Sequence, residues 1–119
     1  MDMLNIQVRQ VQAKSGPISI LILSGALDAH TAPDLENQVA ALLKGVTKRF
    51  LVILKDLEYI SSVGIGTFIG FQHDIKAKSG ELAFAAMNDK VKKVFEMSGF
   101  LRLVKAYADE GQAAEFLTR

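Results

Sequence analysis

The sequence contains no cysteine and only two histidines, His30 and His73. Without cysteine the chain has no disulfide, no thiolate metal site and no cysteine nucleophile, which fits a reducing compartment. Two histidines without a thiol partner make a transition-metal site improbable. We therefore expect no cysteine-based catalysis and no metal site, and we assign no catalytic residue and no cofactor to the sequence.

The sequence also lacks a strong charge of one sign and a long apolar run. Its net charge is +1, so there is no bulk electrostatic attraction to nucleic acid or to an anionic membrane. No apolar run approaches the roughly 20 residues that span a bilayer. The start, Met1 to Gln10, lacks the basic and apolar parts of a signal peptide. We expect a cytoplasmic protein that binds no nucleic acid and does not insert into membranes.

The length and composition are those of one globular domain. The chain has 119 residues, of which 50% are hydrophobic and 23% are charged. A domain of this size buries a core without disulfides or metal. The sequence therefore predicts a single domain over residues 1–119.

The first part of the chain has the pattern of two strands. Leu4, Ile6 and Val8 alternate with polar residues, which predicts a strand with one buried face. Ile18 to Leu23 is an apolar run apart from Ser19, as in a strand covered on both faces. The turn residues Lys14 to Pro17 lie between them, so we expect an antiparallel hairpin.

A helix is predicted after the pattern breaks at Ser24 to Asp28. Thr31 suits the cap of this helix, and Pro33 and Asp34 suit its first turn. Gly45 stands near its end, where a left-handed residue is often needed. The apolar positions at helical spacing are Leu35, Val39, Leu42, Leu43 and Val46.

Strands and helices then alternate to the end of the chain. We predict a buried strand Phe50–Leu54 followed by a polar turn, a helix Val63–Lys78, a strand Leu82–Met87, a helix capped by Asn88 and ended by Gly99, a strand Leu103–Tyr107 and a helix starting at Asp109. The predicted order is β-β-α-β-α-β-α-β-α. This order indicates an α/β fold with a mixed, mostly parallel sheet of about five strands and about four helices.

The segment Leu51 to Gly70 combines a strand, two serines and the start of a helix. A helix N-terminus carries unpaired N–H groups and the positive end of the helix dipole. Ser61 and Ser62 therefore lie where a phosphate is favourable, whether bound or covalently attached. The same serines are also suited to a plain N-cap, which is the commoner use.

Two enzymatic interpretations of this junction fit poorly. In a dinucleotide site the glycines follow G-x-G-x-x-G, whereas Gly70 comes one residue late after Gly64 and Gly66. In a serine hydrolase Ser62 needs the pattern G-x-S-x-G, but Ile60 stands two residues before it. It also needs a nearby base, and His73 lies about 16 Å further along the same predicted helix, at 1.5 Å per residue, which leaves His30 as the base to consider. An N-cap and a phosphorylation switch are the alternatives that stay open from the residues alone.

Three separated motifs resemble one protein family. Residues 57–66 read LEYISSVGIG, residues 24–28 read SGALD, and residues 93–100 read KVFEMSGF. They resemble the signatures of STAS domains, and in particular of the bacterial anti-sigma factor antagonists. The chain differs from the family pattern at Ala26, where glutamate is usual, at Ser61, where aspartate is usual, and at Val63, where many members have a small polar residue.

The resemblance implies a binding protein that is not an enzyme. Antagonists of this family bind an anti-sigma factor, a serine kinase of the GHKL ATPase type, and so release the sigma factor. The kinase phosphorylates a serine at the start of the second helix, and a PP2C-like phosphatase resets it. The matching residue here is Ser62. The alternative is a STAS subunit that is never phosphorylated and docks on a transporter ATPase or a stress-signalling complex.

The resemblance and the apolar residues of the second predicted helix together indicate a partner surface. Apolar side chains are spread around this helix, so one sheet cannot cover them all. The resemblance places Asp28 beside the serine loop. The predicted partner-binding residues are Asp28, Ser61, Ser62, Val63, Gly64, Ile65 and Phe68.

Overall fold

The computed structural model describes residues 3–118, which form a five-stranded sheet with four helices. The elements in chain order are β1 (Leu4–Ala13), β2 (Gly16–Leu27), α1 (Ala32–Leu43), β3 (Arg49–Ile60), α2 (Ser62–Ala77), β4 (Glu81–Ala85), α3 (Asp89–Ser98), a 3-10 turn (Phe100–Arg102), β5 (Lys105–Tyr107) and α4 (Glu110–Leu117). This confirms the element order that the sequence predicts.

The strands lie in the spatial order β1-β2-β3-β4-β5. β1 is antiparallel to β2, and the other neighbouring pairs are parallel. The sheet is therefore mixed and mostly parallel, as predicted. Since the parallel strands share one direction, their carboxyl ends lie at the same edge of the sheet.

The two faces of the sheet are covered unequally. α1, α2 and α3 pack on one face, where four phenylalanines meet at ring-centroid distances of 5.0 to 6.0 Å: Phe68, Phe84, Phe95 and Phe100. α4 covers the other face with Ala113 and Leu117, which pack near Ile20 and Leu51. The run Ile18–Leu23 is largely buried because it lies between these two layers.

Three predicted helix ends are confirmed. The Asn88 side chain accepts a hydrogen bond from Val91 N at 3.0 Å and caps α3. Asp109 accepts from Gln112 N at 2.9 Å and caps α4. Gly99 follows α3 with a φ of 79°, the left-handed conformation that favours glycine.

The predicted start of α1 is confirmed, but its predicted end is wrong. The helix stops at Leu43, so Val46 lies beyond it and is 82% exposed rather than part of the buried stripe. Lys44, in a right-handed conformation, ends the helix instead of a left-handed Gly45. At the other end Thr31 is the N-cap residue and Pro33 and Asp34 lie in the first turn, as predicted. The Thr31 hydroxyl makes no cap bond, however, since its oxygen accepts from Asp28 N at 3.0 Å and it donates to Ala26 O at 2.8 Å.

The two central strands run further than predicted. β2 continues to Leu27 and β3 to Ile60, through the segment predicted as a polar turn. Pairing persists to Leu27↔Ile60 across two shifts of register, and Leu57 and Ile60 point into the core. The polar residues of this stretch are compatible with a strand because they face outward: Lys55, Asp56 and Glu58 are exposed.

Two later strands are shorter than predicted. β4 ends at Ala85 rather than Met87, and Ala86 follows with a φ of 59°. β5 begins at Lys105 rather than Leu103, because the 3-10 turn buries Phe100 ahead of it. β3 therefore extends past the end of β4 at the carboxyl edge of the sheet.

Gly25 explains the irregular end of β2. Its φ is 94°, and a β-carbon at this position would overlap the carbonyl oxygen of Met3. The residue adjoins a register shift between β2 and β3. Glycine therefore allows both the close approach of the chain start and the bend that leads to Leu27 and Asp28.

Candidate functional site

Ser61 is the N-cap of α2. Its backbone is extended, with φ −92° and ψ 175°, and its hydroxyl oxygen accepts a hydrogen bond from Gly64 N at 3.3 Å. Its carbonyl oxygen accepts the helical bond from Ile65 N at 3.1 Å. Aspartate performs the same capping role, so serine in place of the aspartate usual in the resembled family still supplies a cap.

Ser62 occupies the next position and has a different environment. It is the first residue of α2, and it is exposed. The cap bond is made by Ser61, so the sequence alternative in which both serines serve as caps applies to Ser61 alone. The first N–H groups of a helix have no carbonyl partner within it, and the Ser62 hydroxyl lies beside them.

The end of β2 holds the serine turn in place. Leu27 pairs with Ile60, and Leu27 O accepts a hydrogen bond from Ser61 N at 3.0 Å. Asp28 and Ser61 therefore follow directly from neighbouring parallel strands at the same edge of the sheet. Sequence reasoning from the residues alone did not bring them together, because they are separated along the chain by α1.

One oxygen of the Asp28 carboxylate is hydrogen-bonded within the turn that Asp28 begins. Its Oδ1 atom accepts from His30 N at 2.9 Å and from Thr31 N at 3.2 Å. The Asp28 N–H in turn donates to the Thr31 hydroxyl at 3.0 Å. These bonds fix the carboxylate at the start of α1, and the residue is only half-buried.

Gly64 sets how closely α2 approaches the sheet. A β-carbon here would lie 2.7 Å from Ile60 Cγ1 and 3.0 Å from Leu27 O. Both distances are shorter than normal contacts, so only glycine fits this packing. Gly66 and Gly70 differ, since a β-carbon at either would meet no atom within 4 Å.

The apolar side chains of α2 divide into buried and exposed groups. Ile65 and Phe68 are 5% and 0% exposed, so these two predicted partner contacts lie in the core, and Gly64 is also buried. Val63 and Ile69 are 48% and 47% exposed. We call the accessible predicted residues the Ser62 surface, which consists of Asp28, Ser61, Ser62 and Val63.

A groove near the carboxyl ends of the strands was not anticipated from the sequence. Its volume is about 690 Å³, and it lies between the free end of β3 and the start of α3: Lys55, Asp56, Leu57, Glu58, Tyr59, Asn88, Asp89 and Lys90. Tyr59 is 53% exposed and stands two positions before Ser61. Tyr59, an aromatic residue close to the two serines in the sequence, is the signal from which this groove could have been predicted.

Asn88 stabilises the part of β3 that β4 does not reach. Its amide nitrogen donates to the carbonyl oxygens of Leu54 at 3.3 Å, Lys55 at 3.1 Å and Leu57 at 2.7 Å. The same side chain caps α3 through its oxygen. One residue thus connects α3 to the strand that carries the serines.

Within residues 3–118 no group of three or more His, Asp or Glu side chains is arranged to hold a metal ion. None of the helices in this range is long and apolar enough to cross a membrane. Ser62 and His73 both lie in α2, so the wide separation expected for these two residues is confirmed.

Comparison with known proteins gives consistent matches. A family model described as the STAS domain matches residues 9–113. The anti-sigma F factor antagonist of Paenibacillus polymyxa is 29% identical over 111 residues, which cover 92% of this chain and 93% of that protein.

Solved structures show the same fold. An anti-sigma factor antagonist from Mycobacterium paratuberculosis superposes with a TM-score of 0.86 at 18% identity, covering 98% of this chain and 95% of that one. The Bacillus cell fate determinant SpoIIAA in its phosphorylated form superposes with a TM-score of 0.72 at 22% identity, covering 93% and 97%.

Proposed function

Because the chain belongs to the STAS domain family, we propose that it is an anti-sigma factor antagonist whose binding activity is switched by phosphorylation of Ser62. The antagonist family consists of binding proteins rather than enzymes. In the proposed cycle, the unphosphorylated protein binds an anti-sigma factor that is a serine kinase of the GHKL ATPase type, and the sigma factor is released. A PP2C-like phosphatase restores the unphosphorylated form.

The observation that carries this proposal is the position of Ser62. The residue is exposed at the start of α2, while the neighbouring Ser61 supplies the cap. A kinase can therefore modify the Ser62 hydroxyl without first removing a hydrogen bond that holds the helix. Phosphorylation of the Bacillus protein, which shares the fold, is in agreement with such a role.

Phosphate on Ser62 is compatible with the folded domain. It adds roughly −1.5 to −2 charges at pH 7. At the N-terminus of α2 this charge meets unpaired N–H groups and the favourable end of the helix dipole. The modification therefore acts on binding rather than by unfolding the protein.

The charge acts on the Ser62 surface, where the kinase docks. Val63 supplies exposed apolar area beside the serine, and Asp28 supplies a carboxylate at the end of the neighbouring strand. When the kinase docks, the phosphate loses its water, and where the kinase offers no opposite charge this costs several kcal/mol and lowers affinity by orders of magnitude. Repulsion from Asp28 adds to this effect.

Mapping the phosphorylation site tests the proposal. The protein is incubated with ATP and a GHKL-type kinase encoded beside its gene, and modified peptides are identified by mass spectrometry. We expect phosphate on Ser62 in the wild type and in Ser61→Ala, and none in Ser62→Ala. Phosphate on Ser61 alone, or on neither serine, would contradict the assignment.

A pair of valine substitutions tests the docking surface. Val63→Ser removes apolar area next to Ser62, and we expect affinity for the unphosphorylated complex to fall about tenfold, at roughly 0.8 kcal/mol per buried methylene-sized group. Val46→Ser is the matched control, because Val46 is also exposed but follows α1. If calorimetric titration gave both variants the same affinity for the kinase, the kinase would not dock at Val63.

A further inference from the structure

The two edges of the sheet are very different in length. β5 at one edge contains three residues, whereas β1 at the other edge contains ten and is mostly exposed. Natural proteins protect long edges with charged side chains, above all lysine, with proline, with a bulge or with a covering element. β1 contains no proline or lysine, Arg9 is its one charged residue, and its register with β2 has no shift from Leu4↔Gly25 to Ala13↔Gly16.

The hydrogen-bond pattern shows which backbone groups are free along this edge. Ala26 N donates to Met3 O at 3.1 Å, next to the pair Leu4↔Gly25. In an antiparallel pair the bonded residues alternate, so the odd-numbered residues of β1 bond to β2. The even-numbered residues direct their N–H and C=O groups away from the sheet: Leu4, Ile6, Val8, Gln10 and Gln12.

We propose that a second copy of this chain pairs with the free edge of β1, antiparallel and about a two-fold axis at Val8. The two sheets then form one continuous sheet through a β1–β1 contact. In this register Ile6 lies opposite Gln10 of the second copy, and Leu4 lies opposite its Gln12. All five outward-facing residues are then paired on both strands.

In the two neighbouring registers, fewer of the outward-facing residues of β1 find a hydrogen-bonding partner. A shift of the axis to position 7 leaves Gln12 unpaired. A shift to position 9 leaves Leu4 unpaired and places Arg9 directly opposite itself, and like charges at that spacing repel. In the register centred on Val8, Arg9 faces the neutral Gln7 of the second copy.

Charge and shape agree with this register. Arg9 is the one charged residue of β1, and its guanidinium is held by Glu110 at 2.8 Å. Val8 is 39% exposed at the centre of the contact, so pairing covers apolar area there. Beside it, an open groove of about 470 Å³ between Ile6 and α1 leaves room for the glutamine side chains of the second strand.

The contact is mostly backbone, so we expect a weak, reversible dimer rather than an obligate one. Analytical ultracentrifugation of the unmodified protein should show a monomer at low micromolar concentration and a growing dimer fraction toward the millimolar range. A monomer at every concentration would overturn the proposal.

Single cysteines locate the contact, since the natural chain has none. Residues paired at the two-fold axis have Cα atoms about 5.5 Å apart, which is within disulfide range. Val8→Cys should therefore form a covalent dimer under mild oxidation. Val11→Cys is the control, because the two copies of residue 11 are about 20 Å apart in this register.

Two single lysine substitutions distinguish an effect on dimerisation from an effect on folding. Val8→Lys places two like charges opposite each other at the axis and should abolish the dimer. Val11→Lys, at a valine with the same 39% exposure, faces the neutral Asn5 of the second copy and should leave dimerisation nearly unchanged. Equal dimer fractions in these two variants, or equal cross-linking of the two cysteine variants, would show that β1 edges do not pair in this way.

Discussion

The backbone N–H of Ser61 donates to the carbonyl oxygen of Leu27 at 3.0 Å, so the serine turn is attached to the end of β2. Leu27 precedes Asp28 directly, and Ser61 precedes Ser62. This one bond brings together two motifs that α1 separates along the chain. The proposed docking and phosphorylation site therefore depends on the register of β2 with β3.

The two serines should differ in their effect on stability. Ser61→Ala removes the hydroxyl that accepts from Gly64 N and should lower the free energy of unfolding by about 0.5–2 kcal/mol. Ser62→Ala changes an exposed first-turn residue and should stay within about 0.5 kcal/mol of wild type. Urea denaturation of both variants measures the difference. A larger loss in Ser62→Ala would mean that Ser62 is the structural serine.

Ser62→Asp should separate binding from folding. A single negative charge at the N-terminus of α2 is favourable to the helix, so the melting temperature should stay within a few degrees of wild type. The same charge at the docking surface should remove most of the kinase binding. Thermal melts followed by circular dichroism and calorimetric titration on one sample measure both effects, with Ser62→Ala as the uncharged control. Early melting of phosphorylated protein, together with wild-type affinity of Ser62→Asp, would show that the switch acts through the fold.

Gly64 and Gly66 offer a matched pair in the same helix. Gly64→Ala forces a β-carbon against Ile60 and Leu27 and should cost about 1–3 kcal/mol of stability. Gly66→Ala meets no atom within 4 Å and should stabilise α2 by about 0.5–1 kcal/mol. Chemical denaturation measures whether each substitution lowers or raises the free energy of unfolding. Similar effects of both substitutions would mean that the helix does not pack as closely on β2 as the structure indicates.

Asn88→Asp keeps the capping oxygen of α3 and removes the amide donor. Aspartate is as good an N-cap as asparagine, so the helix start should be retained. Three carbonyl oxygens, at Leu54, Lys55 and Leu57, lose their donor and face a carboxylate. We expect a loss of about 1–3 kcal/mol in unfolding free energy. Asp109→Asn at the start of α4 is the control for a change of cap type alone, and an equal loss there would contradict the role given to the Asn88 amide.

Local signals predicted the helices and the order of elements well. Asn88, Gly99 and Asp109 carry their information within one turn of the chain, and all three helix ends are found where expected. Val46 was misplaced because helical spacing continues to it after the helix has ended at Leu43. An apolar residue at the right spacing does not by itself extend a helix.

Long-range pairing is what the sequence pattern could not show. The stretch Lys55–Tyr59 was interpreted as a turn because most of its residues are hydrophilic, but it pairs with β2, buries Leu57 and presents the others to solvent. Likewise Phe68 was placed on the partner surface because apolar residues surround α2, whereas it is buried among other phenylalanines. Which side of a helix is covered depends on neighbours far away in the chain.

The division of work between Ser61 and Ser62 also affects how such a protein can change over generations. The capping hydroxyl belongs to Ser61, so position 62 is under little structural constraint. Under the proposed phosphorylation switch, a lineage that loses its kinase can replace Ser62 by a single mutation and keep an intact domain that is never switched off. By the same proposal, a lineage that gains a kinase can acquire the switch by the reverse mutation, without compensating changes in the core.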